Sequence, residues 1–278
     1  MKEPSNDLTI RQIQSAAVES IKSSWPEQCF IVILGAGVQA FAYACLVFIC
    51  MLAGEHHDFY AVLCFDGSAQ IMAVKALFLL IMYLGSIPLY FGIRWFYWQM
   101  SAGMVMPLSS LFACYSSKKM VKRCIDIKVH TDLHLLIRVG AAAAAIFGIV
   151  DLFGLSDETK YSLKNSVGVF LVFLVLVVMF LSTIDLVFVP YVFAENNDLS
   201  AQEIMAKSKE LVRRDMSFSV RLYFSYLPWY IFAVFIFPLL IIIPFMNVMM
   251  ACYMRKLISS DGEQIPDAAA VHGAESGA

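Results

Sequence analysis

The sequence predicts an all-α polytopic integral membrane protein: six transmembrane helices joined by amphipathic surface helices. Three observations carry this. The 278-residue chain is 60% hydrophobic and only 15% charged, with a mean hydropathy of +0.73, whereas soluble domains run nearer half apolar and a quarter charged. The excess sits in uninterrupted apolar runs long enough to cross a hydrocarbon core of about 30 Å. Lys and Arg alternate between rich and poor connections, the pattern of the positive-inside bias.

A net charge of -2, with basic residues dispersed over several loops, gives no reason to expect a nucleic-acid partner. The seven Cys are an odd number, and Cys29, Cys45 and Cys50 fall inside one apolar run. They read as small hydrophobes in membrane helices and not as a disulfide framework.

The first 24 residues carry Lys2, Glu3, Asp7, Arg11, Glu19 and Lys22 without an apolar core, so no signal peptide is expected. They predict an amphipathic helix over 8–24. Thr9 and Gln12 have capping-box spacing, Leu8 and Ile13 that of a hydrophobic staple, and Ile10, Ile13, Ala17 and Ile21 recur at helical intervals.

The first span covers about 29–53. Gly35, Gly37, Ala40 and Ala44 give it a small-residue face suited to close helix packing, and Gln39 lies near its middle. A loop carrying Glu55, His56, His57, Asp58 and Asp66 follows, then the second span over 69–93, with Lys75 near its start and Pro88 near its end. Arg94-Trp95-Phe96-Tyr97-Trp98 is an interfacial aromatic and cationic anchor. It opens a basic segment reaching Asp132 through Lys118, Lys119, Lys122, Arg123 and Lys128. The third span, 133–152, repeats Gly140, Ala144 and Gly148 at four-residue intervals, again a packing face. The fourth span occupies 167–193 and a cytoplasmic amphipathic helix 200–216.

The final apolar run is too long for one span and contains Pro228, Pro238 and Pro244. It reads as two spans, 218–237 and 238–257, with one long kinked helix as the alternative. Residues 1–258 then form one membrane domain, and the small, acidic stretch 259–278 a disordered cytoplasmic tail. With the basic connections inside, an even number of spans leaves both termini on the cytoplasmic side of the membrane.

The segment LTIRQIQSAAVESIK from Leu8 aligns without a gap to LSAQEIMAKSKELVR from Leu199. Ser200 and Glu203 form a second capping box, and each helix precedes a pair of spans. A third copy starting at Leu108-Ser109-Ser110-Leu111-Phe112 would make three repeats of a surface helix plus two spans.

The run VPYVFAENNDLSAQEIMAKSKEL (Val189 to Leu211), Pro228-Trp229, and Ile243-Pro244-Phe245 through Tyr253 resemble the bacterial integral membrane family called domain of unknown function 975. The resemblance is good over the last third of the chain and looser elsewhere. Glu195, Pro228 and Phe245 depart from the family pattern. The resemblance implies a six-helix bacterial membrane protein and no particular activity.

No phosphate-binding glycine loop, nucleophile elbow or recognisable carboxylate pair is present, so no catalytic residue and no cofactor is assigned. His130 and His134 have i,i+4 spacing near Cys124 and Asp126 but lack a glutamate between them, and His56-His57 lies on a polar loop. Neither is read as a metal site.

The candidate site is instead a set of polar groups within the spans: Asp185, Arg138, Arg221 and Gln39. Burying an ionised group in hydrocarbon costs about 2.5–3.5 kcal/mol on insertion scales. Arg138, Asp185 and Arg221 fall at similar cytoplasmic-side depth. Asp185 is expected to pair with Arg138 or Arg221 beside the carbonyl freed by Pro190. The alternative is that both arginines snorkel to headgroups. Lys118, Lys119, Lys122, Arg123, Arg213 and Arg214 are the expected contacts to anionic lipid headgroups.

Three function classes follow. The leading one is a non-catalytic scaffold or accessory subunit of a membrane complex, with a membrane protein partner or a second copy of itself. A transporter or permease component comes second and an intramembrane enzyme third.

Overall fold

The computed structural model describes residues 10–22, 24–52, 69–153, 163–232 and 236–259. Among these the chain is helical with no strand. In order the helices are α1 (Ile10–Lys22), α2 (Trp25–Leu52), α3 (Ala69–Met100), a 3-10 segment (Leu108–Tyr115), α4 (Lys118–Phe153), α5 (Leu163–Glu195), α6 (Ala201–Arg214), α7 (Met216–Phe232) and α8 (Ile236–Ser259). The loop with His56 and His57, the Thr9 cap and the tail beyond Ser259 lie outside the described residues.

Five of these helices are long and apolar enough to cross a membrane: α2, α3, α4, α5 and α8. They hold four of the expected spans and the second half of the final apolar run. That run is divided between α7, of 17 residues, and α8, of 24, and their junction at 233–235 is outside the described residues.

Several helices overrun the spans expected from hydropathy. At about 1.5 Å per residue, the 32 residues of α3 and 36 of α4 exceed a hydrocarbon thickness of about 30 Å. Burial shows where the surplus lies. α3 exposes Leu77, Leu79, Leu80 and Ile81, then buries Ile87 to Leu89, Phe91, Gly92, Phe96 to Trp98 and Met100. α5 exposes Phe170, Phe173 and Val178, then buries Ile184, Phe188, Val189 and Tyr191 to Phe193. Apolar side chains left bare suit lipid; the buried ends are covered by protein.

The chain resolves into two compact units, and α1, α4, α7 and α8 each contribute to both. One unit contains 17–128 and 228–248. In it the 3-10 segment folds back along α3. Leu111 lies against Gly92, where any Cβ would overlap the Leu111 carbonyl oxygen. Tyr115 donates its hydroxyl to the Gly85 carbonyl at 2.6 Å, beside the helix-interior Pro88. Pro107 at the start of this segment is extended and makes no side-chain cap, and a 3-10 turn stands where the sequence comparison placed a third amphipathic helix. Gln28, fully buried on α2, donates to the Met100 sulfur at 2.6 Å, while Leu46 farther along α2 clusters with Phe78.

The other unit contains 129–227 with residues 10–16 and 249–259. Its centre is the hairpin formed by α5 and α6. Ser200 caps α6: its hydroxyl accepts from the Glu203 amide, and the Glu203 carboxylate accepts from the Ser200 amide at 2.7 Å. The Ser200 amide, and with it the Ser200 hydroxyl, donates to the Glu203 carboxylate and holds it below its ordinary range. A carboxyl depressed in the folded state stabilises at neutral pH, and that contribution fades as acid protonates it. Ser200→Ala is expected to cost about 1 kcal/mol, read as faster amide hydrogen exchange over the first turn of α6 with the spans unchanged.

Candidate functional site

Ser182 and Asp185 of α5 share one helical face. Ser182 and Asp185 are three residues apart, which places the Ser182 carbonyl and the Asp185 carboxylate side by side. Arg138 of α4 reaches both. Its Nη1 donates to Asp185 Oδ1 at 2.7 Å and its Nη2 to Oδ2 at 3.2 Å, and Nη1 also donates to the Ser182 carbonyl. This is the two-point guanidinium–carboxylate arrangement, stronger and more directional than a single contact. The side chains are mostly covered, 25% exposed for Arg138 and 13% for Asp185.

A third helix closes the node. Ser208 of α6 is fully buried and donates its hydroxyl to the Asp185 carbonyl oxygen at 2.5 Å. Ala201, Ile204, Leu211 and Val212 are buried with it. The apolar side of the amphipathic helix is therefore occupied within its own unit. That side is covered by protein, with α6 packed on α5, and the charged side faces out. On that outer side Arg214 donates to Glu210 at 2.6 Å.

The far end of α6 is also tied down. The Asp215 carboxylate accepts from the Phe218 amide at 3.1 Å and caps α7. Tyr253 of α8 lies 2.8 Å from the Ser219 hydroxyl and donates to the Asp215 carbonyl at 3.3 Å. Its ring stacks on Phe218 with centroids 5.0 Å apart. α6 is thus held at its middle by Ser208 and at its exit by Asp215.

Of the four candidate residues, two are brought together. Arg221, the other proposed partner of Asp185, instead lies over the Phe218 ring at 5.9 Å and donates Nε to the Ser217 carbonyl. Gln39 is exposed on α2, in the other unit. Arg138 takes the Ser182 carbonyl, and Ser208 takes that of Asp185, so neither contact goes to the carbonyl that Pro190 leaves without an amide partner. Ser208 is not among the four candidates; a serine on an otherwise apolar stripe is the sequence signal for its buried hydrogen bond.

The two small-residue faces stand open at their glycines. Among the described residues no atom lies within 4 Å of a Cβ built at Gly35, Gly37, Gly140 or Gly148. No group of three His, Cys, Asp or Glu able to hold a metal occurs among the described residues, His130 and His134 included.

Both oxygens of the Asp185 carboxylate are engaged by one guanidinium and each charge offsets the other. The node ties α4, α5 and α6 together through side-chain hydrogen bonds. No family model, no curated protein and no solved structure matches this chain.

Proposed function

We propose that this chain is a non-catalytic scaffold or accessory subunit of a membrane complex. It would lie in a bacterial cytoplasmic membrane, with six spans and both termini inside. The observation that carries the reading is the clamp on α6. Its apolar side is consumed by buried contacts and by the Arg138–Asp185–Ser208 node, and its charged side stays exposed at a fixed angle. A rigid, charged helix held beside the membrane is a surface for a partner or for anionic headgroups. Arg213 and Arg214 at its end, with Lys118, Lys119, Lys122 and Arg123 at the start of α4, are the cations that would meet those headgroups.

The open small-residue faces support the same reading. Such faces let helices approach closely in lipid, and among the described residues the space beside Gly35, Gly37, Gly140 and Gly148 is open. They are available to helices of a partner or of a second copy. The resemblance of Val189 to Leu211 to an uncharacterised bacterial membrane family fits this and adds no chemistry.

Transport of a small solute is the second reading, favoured by the exposure of Gln39 within the apolar helix α2. Two measurements separate the readings. Gentle detergent extraction from native membranes should recover the chain with another membrane protein, or with itself, at a fixed ratio. Solute flux in proteoliposomes that is lost in Gln39→Leu, with the chain monomeric, would make the transport reading correct instead.

A further inference from the structure

We propose that the cavity where α1 meets α2 binds one anionic glycerophospholipid, with an acyl chain in the cavity and its phosphate on Lys22. This inference rests on the membrane reading above and adds a discrete site to it. The cavity measures about 400 Å³, within the range of about 300–1,000 Å³ typical of small-molecule sites. Two ladders of side chains build it. Val18, Ile21, Lys22 and Trp25 recur at one-turn intervals across the α1–α2 junction, and Ile241 and Phe245 are one turn apart on α8.

Five of the six lining residues are apolar, so a polar occupant would leave its hydrogen bonds unmade. The sixth supplies a positive charge at the edge: Lys22 is exposed and is the last residue of α1. Trp25, partly exposed, opens the membrane-crossing helix α2, the position that interfacial tryptophans favour. Val18 and Ile241 are also exposed, 41% and 48%, so the protein itself does not fill the cavity. An apolar slot, a tryptophan of the interfacial belt and one exposed cation together match an amphiphile with a long apolar tail and an anionic head.

The test uses the full chain in nanodiscs of equal parts phosphatidylglycerol and phosphatidylcholine, ejected intact for native mass spectrometry. The expected result is one phosphatidylglycerol retained per chain after the bulk lipid is stripped. Lys22→Ala should lower that occupancy about fivefold, the weight of one basic side chain at an anionic surface, and Lys22→Arg should restore it. Ile241→Trp, which fills the cavity from its exposed wall, should lower it independently of charge. Unchanged retention in Lys22→Ala or in Ile241→Trp overturns the proposal, as does equal retention of phosphatidylcholine. A bound mass of detergent or free fatty acid overturns it too. Failure of the membrane reading would look different: the chain would be recovered without detergent and would not enter nanodiscs.

Discussion

Gly92→Ala is expected to destabilise the chain by about 3 kcal/mol, at the upper end for overpacking. The new Cβ would meet the Leu111 carbonyl oxygen, a backbone atom that cannot swing away as a side chain can. Relief requires the whole 3-10 segment to lift from α3, which would also break the hydrogen bond from Tyr115 to Gly85. Thermal unfolding in detergent measures the loss, and faster exchange of the amides in Leu108–Tyr115 locates it. Gly35→Ala is the control. With open space around it among the described residues, the same added methyl should cause no loss of stability.

The second large effect is expected at Asp185. Asp185→Ala strands the Arg138 guanidinium against a helix backbone, and removing one partner of a largely buried pair costs about 3–5 kcal/mol. The 25% exposure of Arg138 and its path toward the headgroups place the loss at the low end, about 3 kcal/mol. Arg138→Leu combined with Asp185→Leu should recover most of the loss, because removing both charges leaves neither uncompensated. The charge swap, Arg138→Asp with Asp185→Arg, should recover less. A carboxylate at position 138 would face the Ser182 carbonyl, which accepts from the arginine in the native arrangement. Equal stability of Asp185→Ala and the native chain would mean that the pair holds nothing in place.

The different fates of these residues in the sequence have physical causes. An ionisable group in an apolar run is so costly that a partner at similar depth is worth seeking, and this pointed to Asp185 with Arg138. Depth alone left Arg221 as an equal alternative. What separates them is the local turn: Arg221 stands four residues after Ser217 and three after Phe218, close enough to use both. The cap of α6 was legible because Ser200 and Glu203 act over three residues.

Contacts between distant segments carried no such signal. Gly92 in an apolar run reads like any small residue of a membrane helix, and only the return of the 3-10 segment makes glycine necessary there. Gly140 and Gly148 carry the same local pattern with no neighbour among the described residues. Small-residue spacing therefore marks a face able to pack closely without saying which helix it meets. The amphipathic pattern of α6 is ambiguous in the same way, because apolar residues at helical spacing fit protein as well as lipid. Burial of Ile204, Ser208 and Leu211 resolves this in favour of protein.

The proposed scaffold requires helix α6 to be locked to the apolar helices with its charged side in the cytoplasm. Single cysteines at Lys119, Lys209 and Asp58, placed in a chain freed of its native cysteines, can be labelled in intact cells and in inverted vesicles with an impermeant thiol reagent. Labelling of positions 119 and 209 only in inverted vesicles, and of position 58 only in intact cells, is the predicted result. Labelling of 119 and 209 from opposite faces would contradict it.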